Sequence, residues 1–194
     1  MKQLKLYNLD QTRGIRQPSA DTRIHARSPA TTIFTDFAVN VPVAISASAS
    51  AVEVESLMKR AHVKLMLVLD AQDHFSGVIS LADLSEEHII RSVAYGSPRN
   101  EVQVQDLMQP RARLHALGYE ELSHALVQDV LHTLRDERAQ HVLVVDAESH
   151  EVRGLISAMD VARKLQLPIA LGSVTEFGAV NAALLRQSEL RRTA

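Results

Sequence analysis

The chain of 194 residues contains no cysteine. That absence removes disulfides, thiolate catalysis and cysteine-ligated zinc together, and it is compatible with a reducing compartment. Long apolar runs are missing as well. No segment approaches the about 20 apolar residues that a spanning helix needs, and the opening Met1-Lys-Gln-Leu-Lys-Leu-Tyr7 has no stretch long enough for a signal peptide. The chain reads as cytoplasmic, with no membrane partner. Charge of one sign is not in excess either: Lys and Arg number 21 against 23 Asp and Glu, the formal net charge is −2, and no basic block stands out. Nothing electrostatic therefore favours nucleic acid as a partner. Familiar catalytic motifs are also absent, with no Gly-x-Ser-x-Gly elbow, no phosphate loop ending in Gly-Lys-Ser/Thr and no His-Glu-x-x-His. An enzyme is the last-ranked reading.

What is present is enough apolar material for a core, at 46% hydrophobic against 23% charged residues. An internal repeat organises it. Val68-Leu-Asp-Ala-Gln-Asp-His74 returns as Val144-Val-Asp-Ala-Glu-Ser-His150, and Gly77-Val-Ile-Ser-Leu-Ala-Asp83 returns as Gly154-Leu-Ile-Ser-Ala-Met-Asp160. The glycines are 154 − 77 = 77 residues apart, as are the serines and the final aspartates; Asp70 and Asp146 are 146 − 70 = 76 apart. The second copy thus carries one extra residue in the turn between its matched blocks, where insertions are tolerated.

Each copy has the same local grammar. The apolar runs 65–69 and 142–145 read as strands buried on both faces, the Asp-to-His segments as turns, and 75–79 and 152–156 as second strands paired antiparallel. Upstream, Val54, Leu57, Met58 and Ala61 share one helix face, and Leu122, Leu126, Val130, Leu131 and Leu134 do the same in the second copy. A further helix follows each motif aspartate, over 84–93 and 161–165. Segments 41–45 and 113–117 supply leading strands. Tyr95-Gly-Ser-Pro-Arg-Asn100 carries the turn formers that join the halves, and Pro168 stops the last helix of the second copy. The divisions are an N-terminal extension over 1–33, a first motif over 34–95, a second over 96–167, and a helical C-terminal extension over 168–194 with Phe177, Val180, Leu184 and Leu185 on its apolar side.

A strand-helix-strand-strand-helix unit used twice, each copy ending in Gly-x-x-Ser-x-x-Asp, resembles the tandem cystathionine-beta-synthase (CBS) domain pair, or Bateman module. The resemblance covers about 34–167. It implies an α/β (α+β) fold in which two β-α-β-β-α motifs pack through their sheets. It also implies adenine nucleotides (AMP, ADP or ATP, with or without Mg) or S-adenosylmethionine in clefts between the halves, and association of two modules as a homodimer.

Carried over residue by residue, the ribose-binding acid falls on Asp83 and Asp160, and the hydroxyl residue on Ser80 and Ser157, where serine replaces the commoner threonine. A carboxylate accepts hydrogen bonds from both vicinal ribose hydroxyls, and a helix N-terminus offers N–H groups to phosphate. Val43 and Met66 are candidates for the adenine slot; Arg113, Arg153 and Lys64 are candidates for phosphate. The same Ser-x-x-Asp segments also have a simpler explanation as helix caps. His74 and His150 read as exposed turn residues, without a third ligand for zinc. His62, His88, His124, His132 and His141 read as packing or solvent-facing side chains. The implied function is a regulatory nucleotide-sensing module acting on an effector protein; the alternatives are a ligand-free dimerisation protein or an S-adenosylmethionine-binding module.

Overall fold

The computed structural model describes residues 24–94, 101–135, 139–167 and 176–192, together with positions 3, 6 and 10. The 95–100 joining segment and Pro168 lie outside the described residues.

A short strand, β1 (Thr35–Asp36), precedes the first half, which runs β2 (Ala44–Ser46), α1 (Ala51–Ala61), β3 (Leu65–Leu69), β4 (Phe75–Ser80) and α2 (Glu86–Ala94). Next come α3 (Val104–Leu107) and β5 (Gln109–Pro110). The second half follows as β6 (Ala116–Gly118), α4 (Tyr119–His124), α5 (Val127–Thr133), β7 (His141–Val145), β8 (Val152–Ser157) and α6 (Ala158–Lys164), and the chain closes with α7 (Phe177–Arg192).

The repeat is visible in the hydrogen bonding. β3 pairs antiparallel with β4 and β7 with β8, and each ladder has its irregularity at the same place, between Val68 and Leu69 and between Val144 and Val145. The first hairpin closes from Asp70 N–H to the His74 carbonyl at 2.9 Å, the second from Asp146 N–H to Glu151 at 3.0 Å, so the inserted residue sits in the turn. Each turn aspartate accepts two backbone N–H groups through Oδ1, from Gln72 and His74 in one copy and from Glu148 and Ser149 in the other. Those bonds hold both carboxyls below the usual carboxylate range. The repeated Asp is thus a turn former.

Two four-stranded sheets result, ordered β1-β8-β7-β6 and β2-β3-β4-β5. They face each other through Leu67, Val78 and Leu143, with Leu65, Leu114 and Leu155 packed around them. Helices cover the outer faces, so β3 sends Leu67 towards the opposite sheet and Met66 and Val68 into its own helical layer. Burial on both faces explains why these strands are unbroken apolar runs.

The leading segments are exchanged. β1 pairs with β8 of the second half, while β5, which precedes that half, pairs with β4 of the first. Backbone bonds from Ala30 to Ala125 and from Val127 to Ser28 tie the N-terminal segment to the second half; Ala51 to Val102 and Val104 to Ala49 are their counterparts in the first. Residues 24–33, assigned from sequence to an extension, belong to a core: Ala30 and Ile33 are fully buried against Leu122, Val127 and Ile156.

Two local expectations change. The leading strands fall at 44–46 and 116–118 rather than 41–45 and 113–117. The helix drawn through Leu122 to Leu134 is two helices, because Ala125 and Leu126 are extended and Leu126 bridges to Pro29 of the exchanged segment. α7 packs on α5 and α6, with Phe177 and Val180 buried and Leu185 exposed.

Candidate ligand clefts

Both repeated Ser-x-x-Asp motifs open onto clefts at the seam between the halves. One, of about 190 Å³, is lined by Ser80, Asp83 and Gln109 from one sheet and by His115, Gln140 and His141 facing them. The other, of about 240 Å³, is lined by Ser157, Asp160 and Arg163 and, across the seam, by His62, Lys64 and Leu65. A cavity of about 260 Å³ lies elsewhere, between β6, α4 and α5, and holds no residue of the repeated motif. Its acidic lining, Glu121 and Asp129, suits an anion poorly.

The two motifs differ in detail. In the first, Asp83 Oδ2 accepts from the Ser80 N–H at 2.9 Å and from its hydroxyl at 2.5 Å, and Ser80 Oγ accepts from the Asp83 N–H at 3.2 Å. This is the reciprocal cap anticipated for Ser-x-x-Asp, but residues 81–84 form turns and α2 starts only at Glu86. Oδ1 stays on the cleft side, 3.4 Å from the Gln109 amide of the exchanged β5. In the second motif α6 begins at once after Ser157, whose Oγ accepts from the Asp160 N–H at 3.4 Å. The Asp160 carboxylate turns instead to Arg163, accepting from Nη2 at 2.7 Å. With seven residues, α6 is too short to count as a helix-terminus phosphate site.

Ser80, Asp83, Ser157, Asp160 and Lys64 therefore line the clefts, and four other candidates do not. Arg153 lies on the far side of β8: its guanidinium donates to Asp36 from Nε at 2.9 Å and from Nη2 at 3.1 Å, approaches Asp146 at 3.6 Å, and stands 4.3 Å over the Tyr119 ring. Three partners hold it as a clamp between β1, β8 and the second hairpin. Met66 is 2% exposed and faces the first half's helical core. Arg113 is exposed on a 3-10 turn, one residue before Leu114, which lines the Asp83 cleft. Val43 lies outside the lining, although it precedes β2 just as His115 precedes β6, and His115 lines the Asp83 cleft.

His141, Arg163, His62, Gln109 and Gln140 are lining residues that sequence reasoning passed over. The repeat itself carried a signal for two of them: His141 takes the place of Leu65, and Arg163 stands three residues after the motif aspartate.

Residues 35–89 match the family model of the CBS domain. This segment is a CBS domain. Known folds extend the likeness across both halves. An uncharacterized conserved protein from Pyrococcus horikoshii superposes with a TM-score of 0.55 at 17% identity, covering 77% of this chain and 100% of that one. CBSX2, a CBS-pair protein from Arabidopsis thaliana, was solved in complex with AMP; it superposes with a TM-score of 0.52 at 19% identity, covering 70% and 94%. A CBS domain protein from Streptococcus pneumoniae gives 0.51 at 16% identity, covering 71% and 82%. At such identities the likeness is one of fold, and the fold is that of a tandem CBS pair. No curated protein matches the chain. No helix among the described residues is long and apolar enough to cross a membrane.

Proposed function

We propose that this CBS pair is a regulatory module that binds an adenine nucleotide, AMP, ADP or ATP, in the clefts between its halves and passes occupancy to an effector protein. The observation that carries the reading is the placement of both motif carboxylates, Asp83 and Asp160, at clefts built from the two halves together. Such carboxylates suit the vicinal hydroxyls of a ribose, and the apolar walls from Leu65, Leu114, Leu143 and Leu155 suit a flat base. The AMP complex of the similarly folded CBSX2 supports the same ligand class. A ligand touching both halves acts on their relative placement through its differential affinity for the alternatives. The role is regulatory rather than catalytic; nucleotide turnover that disappears on replacing Asp83 or Asp160 would overturn that assignment.

A second reading, a ligand-free structural pair that dimerises, is favoured by the Ser80–Asp83 cap, which uses one carboxylate oxygen on its own backbone. A thermal-shift panel of AMP, ADP, ATP and S-adenosylmethionine separates the two. A ligand at about 100 times its dissociation constant stabilises the folded state by about 2.7 kcal/mol. Stabilisation by an adenine nucleotide supports the sensor; no response to any of the four supports the structural pair; a response to S-adenosylmethionine alone replaces the nucleotide.

A further inference from the structure

The internal repeat relates the two clefts, yet their ionic lining differs. Lys64, immediately before β3, lines the Asp160 cleft, and the residue immediately before β7, which lines the Asp83 cleft, is Gln140. Three residues after Asp160 stands Arg163; three residues after Asp83 stands Glu86. His62, held in the left-handed region at φ 54°, adds a further donor at the Asp160 cleft. Among the described lining residues, a lysine and an arginine thus converge beside one motif aspartate and not beside the other.

Resting on the nucleotide-binding reading above, we infer that the Asp160 cleft is the one that takes the phosphate-bearing ligand, with Lys64 and Arg163 as its phosphate partners, and that Arg163 exchanges Asp160 for the phosphate when the ligand enters.

Three observations argue for this exchange. At about 240 Å³, the cleft is smaller than the about 300–1,000 Å³ usual for enclosing a whole small ligand. A nucleoside portion fills it and leaves the phosphate at the mouth, where Lys64 and Arg163 are exposed. The Arg163–Asp160 pair is itself solvent-facing, with side chains 71% and 43% exposed, so little free energy opposes its opening. A phosphate dianion offers the guanidinium more charge and a forked acceptor. Once released, the Asp160 carboxylate is free to accept ribose hydroxyls. Lys64 belongs to the first half and Arg163 to the second, so a phosphate held by both ties the halves together in a way that a nucleoside does not.

Calorimetric titration of the full chain with AMP and with adenosine tests the assignment. Lys64→Ala is expected to weaken AMP about tenfold while adenosine changes less than about twofold. Arg163→Ala is expected to weaken AMP and to tighten adenosine, because it frees Asp160. Both residues are exposed, and an unchanged urea midpoint will show that the variants fold. If AMP binds but the ratio of AMP to adenosine affinity is unaltered in both variants, the assignment fails and nucleotide binding stands. It fails equally if Asp83→Asn abolishes AMP binding while Asp160→Asn spares it. If the native chain binds neither probe, nucleotide binding itself falls and the assignment with it.

Discussion

Leu65 and His141 open β3 and β7 at equivalent positions, and each lines both clefts. The seam is therefore shared rather than duplicated: the same two side chains form part of the wall of either cleft. One of them, Leu65, is apolar, and the other, His141, titrates beside both clefts.

His141 makes stability depend on pH in a defined direction. Burial holds its imidazole below the ordinary value near 6.5; Asp160 opposes that effect and Lys64 adds to it. The folded chain thus binds this proton less readily than the unfolded chain. The stabilising contribution is complete above the ordinary value and is lost as pH falls through the lowered one. Urea unfolding of the native chain and of His141→Gln, at about pH 7.5 and about pH 5, should show the larger acid loss in the native chain. Equal losses would remove His141 from the pH response.

The repeated glycines are places of close strand approach. A methyl group on Gly154 would run into the Thr35 carbonyl oxygen and the Phe34 ring, and one on Gly77 into the Gln109 carbonyl oxygen. Both contacts are with the exchanged strands, β1 and β5. Gly154→Ala and Gly77→Ala should each destabilise by about 1–3 kcal/mol, since backbone atoms have to give way. Equilibrium unfolding will check this, and a change under about 0.5 kcal/mol, the usual effect of an unremarkable surface substitution, would mean that the strands separate freely.

Asp36 fastens β1 through Arg153. Its carboxyl lies below the usual range first because Arg153 donates to it; burial opposes that shift and the Ala38 N–H adds to it. Arg153 shifts correspondingly upward. A depressed carboxyl stabilises above its ordinary value near 3.8 and loses that contribution as pH falls through the lowered one. The native chain should therefore exceed Asp36→Asn in urea midpoint at neutral pH, with the gap closing on acidification below about pH 4. A gap that ignores pH would contradict the ion pair as its source.

Phe177 anchors the final helix. It is fully buried in the second half's core with Val180 beside it. Phe177→Ala should cost about 3–5 kcal/mol and expose α7 to limited proteolysis while the β-sheet signature in circular dichroism persists. Unaltered protease resistance would show that α7 is held by other contacts.

Much of this arrangement was legible along the chain because its signals are local. The strand pairs, the hairpin with its extra residue, and the caps at Ser80 and Ser157 each depend on residues a few positions apart. Arg153 and Met66 fall outside the cleft linings for a reason that no local signal carries. Strand alternation alone does not say which neighbour waits on either face, and the partners of Arg153 include Asp36, a residue of the exchanged β1. The break between α4 and α5 is hidden in the same way, since a segment far upstream donates to Ala125 and accepts from Val127 and Gln128 through the backbone bonds that make it possible.

By itself, the sequence determined the duplicated unit and its motif aspartates, because repeated chemistry in register is readable without distances. Only the tertiary structure decided that β1 and β5 trade halves, that the two clefts share Leu65 and His141, and that Arg163 meets Asp160. The physical reason is that sheet pairing and packing join residues across long stretches of chain, where the choice of partner is made by burial of both sheet faces and not by any local preference.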